Sequence, residues 1–173
     1  AAEIGGSKGG LWRHFKSKAD LFSAVVDQET FGYHDDAVAI LTEDGNPYDL
    51  IERFAGRTIE RMTSRETITL RRLMASVAGQ LPIGDFVYGR LVQVLEDALT
   101  EFYARHASRG ALHIECPRQA ATLTIALCGG SDQSQFLWTS RIIDTTTVAR
   151  RSRNVVHLLK AVLTHEERKT EKV

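Results

Sequence analysis

Cysteine and proline are scarce in this chain of 173 residues, which holds only Cys116 and Cys128 and three prolines. Two thiols are too few for the disulfide framework of a secreted domain and lack the spacing of a zinc cage, so the pattern fits a reducing cytoplasm. If the stretch between them is helical they stand about 18 Å apart, beyond the reach of a mutual disulfide. Long apolar runs are missing too. None approaches the roughly 20 residues needed to cross a bilayer, so no membrane span is expected. Net charge is absent, with 22 Lys and Arg against 22 Asp and Glu, and the balance alone argues for no polyanionic partner.

Catalytic punctuation is likewise wanting. No glycine-rich phosphate loop follows a strand, and no His-Glu-x-x-His zinc pattern occurs. His34-Asp35-Asp36 is the one cluster that resembles a metal or catalytic site. Successive helical residues point about 100° apart and cannot converge on one ion unaided, so the cluster is assigned to a surface helix. The expectation is no enzyme, no cofactor and no metal.

What remains is the composition of one globular domain. Apolar residues are 43% and charged residues 25%, which excludes a wholly disordered chain, and this length can bury about 70% of the unfolded surface. Charge is unevenly spread. Lys8, Arg13, Lys16 and Lys18 face Glu3 alone in the first 18 residues, whereas residues 35–66 carry eight acids against Arg53, Arg57, Arg61 and Arg65. A positive opening followed by a negative middle calls for a reason.

Helix punctuation is legible along the chain, and no convincing strand or internal repeat occurs, so the fold class is all-α. Ala1 to Ile4 read as the tail of a helix whose beginning is missing. Gly5-Gly6 supply a turn, and Ser7 caps a short helix from Lys8 to about Phe15. Ser17 with Asp20 opens a helix running to about Leu41. Asn46-Pro47 starts another bearing Leu50, Ile51, Phe54, Ile59 and Met62. Ser64 caps a helix ending near Gly79 to Pro82, and Asp85 caps a long one bearing Leu91, Leu95, Leu99 and Phe102, with Gly110 past its end. Cys116-Pro117 begins a helix that Gly129-Gly130 threatens to break. A last helix spans Thr145 to His165 and frays into the charged tail from Glu166 to Val173.

Helix tail, glycine turn and short basic helix form the order of a helix-turn-helix unit, whose second helix enters the DNA major groove. The run Gly5-Gly6-Ser7-Lys8-Gly9-Gly10-Leu11-Trp12-Arg13-His14-Phe15-Lys16-Ser17-Lys18-Ala19-Asp20-Leu21-Phe22 closely resembles the DNA-binding signature of the TetR family of bacterial transcriptional repressors. Leu70-Arg71-Arg72-Leu73-Met74 through Leu81-Pro82 resembles the regulatory domain of its AefR-like members.

The resemblance implies that residues 1–34 are the trailing part of a DNA-binding domain plus the start of a connecting helix, and that 35–173 form a ligand-binding and dimerisation domain. Ser7, Lys8, Gly9 and Gly10 would face the groove, Trp12 and His14 would meet the sugar-phosphate backbone, and Lys18 would grip a phosphate. A cation at a helix start, beside free backbone N–H groups, suits a phosphate oxygen and orients the domain without reading sequence. Gly6 and Gly10 depart from the family's pattern and should leave the short helix marginal without DNA.

The implied partners are an operator in double-stranded DNA, a small-molecule effector and a second copy of the chain, with no membrane. Phe54, Met62, Met74, Phe86, Tyr103, Phe136 and Trp138 could line an apolar cavity for the effector. Leu123, Leu127, Val148, Val155, Leu159 and Val162 could complete a four-helix bundle across a two-fold axis. The alternative function is a helical ligand-binding or protein-interaction module that does not bind DNA.

Overall fold

The structure is a computed structural model that describes residues 14–30, 33–77, 84–130, 133–139 and 143–170. Among these residues every regular element is helical. Helix α1 (Lys18–Thr30) begins where Ser17 Oγ accepts the Asp20 N–H at 3.1 Å and the Ser17 carbonyl accepts the Leu21 N–H at 3.3 Å. Helix α2 (Tyr33–Thr42) follows; residues 31 and 32, on which the expected continuity to Leu41 turns, lie outside the described residues.

Asn46 has extended backbone and its side chain accepts the Tyr48 N–H at 2.9 Å, which leaves Pro47 to open α3 (Pro47–Met62) at the position where no N–H is needed. Ser64 caps α4 (Arg65–Val77) by accepting the Thr67 N–H at 3.2 Å. Its expected end near Gly79 to Pro82 lies outside the described residues.

The long helix expected after Asp85 is corrected in two respects. Asp85 lies within α5 (Gly84–Tyr88) and not before it, and a π-helical turn (Gly89–Gln93) separates α5 from α6 (Val94–Ser108). Such a turn closes hydrogen bonds one residue wider than an α turn, so apolar spacing alone does not signal it. At the far end Gly110 takes φ of 68°, the Ala111 N–H donates to the His106 carbonyl at 3.0 Å, and the Gly110 N–H donates to Ala107 at 3.0 Å. These are the two bonds of a Schellman stop.

Cys116 precedes α7 (Pro117–Gly129), and Gly130 ends it with φ of 72°. The short α8 (Gln133–Trp138) has no clear sequence signal. Asp144 caps α9 (Thr145–Thr170) by accepting the Thr147 N–H at 2.6 Å, a bond that holds its carboxyl below the ordinary carboxylate range. The helix does not stop at His165. Residues 166–169 are good helix formers with no breaker among them, which carries it to Thr170.

The most extensive packing joins α6 to α7 and α3 to α9, with α2 lying on α3 and α6. The core fills between them with Ile51, Phe54 and Ile59 of α3, Leu99, Phe102 and Tyr103 of α6, Ala121 and Cys128 of α7, and Val155 and Leu159 of α9. Two arginines tie α7 in place. Arg118 at its start lies 2.5 Å from Asp97 and 3.4 Å from the buried Glu96, and Arg151 of α9 donates to the Cys128 and Gly129 carbonyls at its end. Helix α1 sits against α4, α5 and the π-helical turn.

Candidate nucleic-acid interface, effector region and partner face

Lys18 is the first residue of α1 and exposed, standing where the Ser17 cap leaves the helix's positive end facing outward. His14 is exposed one turn before it, and Phe15 is half-buried. An exposed lysine at a helix start is chemistry able to hold a phosphate oxygen. Ser7, Lys8, Gly9, Gly10 and Trp12 lie outside the described residues.

The residues expected to line a cavity are only partly brought together. Phe54 and Tyr103 are fully buried in the main core, and Met62 packs half-buried against it. The Tyr103 hydroxyl lies 2.6 Å from Thr124 Oγ1, which itself donates to the Ala120 carbonyl at 2.7 Å; burial raises the phenol above its ordinary pKa, and the Thr124 bond works against that rise. Met74 and Phe86 are half-buried on α4 and α5. Trp138 is 84% exposed and turned to solvent, and the Phe136 side chain lies outside the described residues.

The structure shows instead a groove of about 740 Å³ between α3 and α9 that sequence reasoning missed. Asp49, Glu52, Gly56 and Glu60 form one wall, and Ile143 and Ala149 stand among the residues facing them. The wall residues recur at steps of three, four and four, a helical stripe readable in the sequence, but nothing local tells which partner helix faces it.

Residues expected at a two-fold face divide by burial. Val155 is 2% and Leu159 0% exposed, so both belong to the chain's own core, where they meet α3. Leu123, Leu127 and Val148 are half-buried against that core. Val162 is 45% exposed and Leu158, which sequence reasoning missed, is 46% exposed, so α9 carries an open apolar edge.

The His34-Asp35-Asp36 cluster opens α2, with Asp36 paired to Arg57 at 3.0 Å, and no group of metal-ligating side chains forms among the described residues. Cys128 is buried and its thiol is pushed up to about 12 by desolvation, which leaves it unreactive as a nucleophile. No helix among the described residues is long and apolar enough to cross a membrane.

Residues 49–168 match the family model described as the AefR-like transcriptional repressor, C-terminal domain. The chain belongs to the TetR family. Its all-helical fold also aligns with the solved structure of a protein assigned to the TetR-family transcriptional regulators from Mesorhizobium loti MAFF303099, at a TM-score of 0.80 and 23% identity over 94% of this chain and 83% of that one. A comparison with curated proteins gave no match. Membership points to a regulator rather than an enzyme. In this TetR-family chain the matched region begins inside α3, after α1 and α2.

Proposed function

We propose that this chain serves as a ligand-responsive transcriptional repressor that binds a palindromic operator as a homodimer. The observation that carries the reading is the match of residues 49–168 to an AefR-like repressor domain, joined in one chain to the TetR-like signature of residues 5–22, which includes the exposed, cap-mounted Lys18. Residues 1–34 serve as the DNA-facing part and the start of the connecting helix, and 35–173 as the regulatory body. Lys18 holds a phosphate, Trp12 and His14 meet the backbone, and Ser7 to Gly10 meet the groove. Two such segments must stand about 34 Å apart to enter successive major grooves, which requires a dimer.

The open edge of α9 at Leu158 and Val162, together with Leu123 and Leu127 of α7, is the face we assign to the second copy. Effector contact is assigned to Met62, Met74 and Phe86, half-buried and adaptable in shape, with Phe54 and Tyr103 in the core cluster against which Met62 packs. Effector and operator then oppose each other through one reciprocal coupling free energy.

An electrophoretic shift with the full-length protein and its own upstream DNA tests the reading. Lys18→Ala and Trp12→Ala should each weaken the shift roughly ten-fold, and affinity should fall steeply with salt as phosphate contacts release counterions. Variants that shift DNA as well as wild type, or a salt-independent affinity, would overturn it.

A further inference from the structure

Arg90 lies within the π-helical turn and joins two parts of the molecule. Its Nε is 3.1 Å from Asp27 Oδ1 on α1, and its guanidinium carbon lies 5.5 Å from the centre of the Phe86 ring on α5. Just beyond the turn the anchoring changes. Leu95 and Leu99 enter the core, and Glu96 and Asp97 hold Arg118 of α7. The Tyr88 hydroxyl donates across the turn to Glu96 at 3.4 Å. The turn therefore separates a short segment tied to α1 from a long helix tied to the body.

A π turn contains one residue more than an α turn. Passing that extra residue toward the start of α5 returns 89–93 to α register and turns the residues it passes by about 100°, with a shift of about 1.5 Å along the axis. Arg90 and Phe86 would swing together away from Asp27. Gly89, the turn's first residue, makes such a change easier because a residue without Cβ leaves the backbone freer to change conformation. Space does not demand glycine there, since an added Cβ would meet only Gln93 Oε1 at 3.7 Å.

We propose that the π-helical turn Gly89–Gln93 is a register switch: in π register Arg90 holds α1 through Asp27, and in α register it releases α1. The proposal rests on the reading above, in which α1 follows directly on the DNA-facing segment, so that α1 carries the switch to the reading head. Phe86 beneath the guanidinium is the point where an effector would press on it.

Hydrogen–deuterium exchange of the full-length protein, read by mass spectrometry, tests this without a ligand or DNA. Asp27→Arg and Arg90→Asp should each speed exchange in residues 18–30 several-fold, and the double reversal should restore it. Deletion of Gly89 should speed exchange in α1 equally while α6 stays protected, and adding Asp27→Arg to the deletion should change nothing more. Gly89→Ala, which fits without a clash, should slow exchange across 89–93 several-fold, a readout that survives if the deletion does not fold. Wild-type exchange of α1 in the single reversals, or unchanged exchange at 89–93 in Gly89→Ala, overturns the switch. If the exchange pattern holds and no DNA is shifted, the switch stands and the functional reading fails; a DNA shift with α1 indifferent to Arg90 gives the reverse.

Discussion

The hydroxyls of Tyr103 on α6 and Thr124 on α7 lie 2.6 Å apart inside the core, and both side chains are fully buried. Thr124→Val removes one partner and strands the phenol, which should cost about 1–3 kcal/mol, whereas Tyr103→Phe leaves Thr124 bonded to the Ala120 carbonyl and should cost about 0.5–1.5 kcal/mol. The double variant should be less destabilised than the sum of the two. Urea unfolding of all three variants checks the coupling, and strict additivity would deny the bond a role.

His106 should make stability depend on pH. Its ring is buried against Phe102 at 4.4 Å, Nε2 has no hydrogen bond, and burial, with Arg105 and Arg109 adding to it, holds the imidazole below its ordinary value of 6.5. The unfolded chain therefore takes up this proton first. The contribution is fully present above about pH 6.5 and is lost as pH falls further. The urea midpoint of wild type should drop between pH 7.5 and 5.5 more steeply than that of His106→Gln; parallel slopes would contradict the assignment.

Glycines 110 and 89 should respond in opposite senses to alanine. Gly110 holds φ of 68° at the end of α6, a region costly for any side chain, so Gly110→Ala should destabilise by about 1 kcal/mol even though a Cβ there meets nothing within 4 Å. Gly89→Ala, unhindered and helical, should stabilise by up to about 1 kcal/mol. Thermal unfolding of the two variants distinguishes backbone strain from steric crowding.

Leu159 and Val162 stand on one helix with different tasks. Leu159→Ala opens a cavity in the core and should cost about 2–5 kcal/mol. Val162→Glu, on the exposed edge, should leave the intrinsic fold intact while shifting sedimentation toward the monomer at micromolar concentration. A Val162→Glu protein that sediments unchanged would remove α9's open edge from the proposed dimer face.

Helix beginnings were readable because caps act over three or four residues. Asn46-Pro47, Ser64 and Cys116-Pro117 each opened a helix where expected, since an orphan N–H or a fixed φ is a local matter. The π-helical turn was not readable, because its flanks are held by Asp27 and Arg118, far away along the chain. The same holds for Val155 and Leu159 against Leu158 and Val162. All four are apolar at helical spacing, and only the position of α3 decides which pair faces in.

The amino-acid order alone therefore determined that this is a helical chain with a TetR-like opening, for capping, periodicity and a short contiguous signature are all properties of neighbouring residues. Tertiary structure alone decided which apolar residues became core, where a groove opened, and how α1 is fastened to the body. Those outcomes depend on which surfaces of distant helices meet, and burial is a property of the meeting.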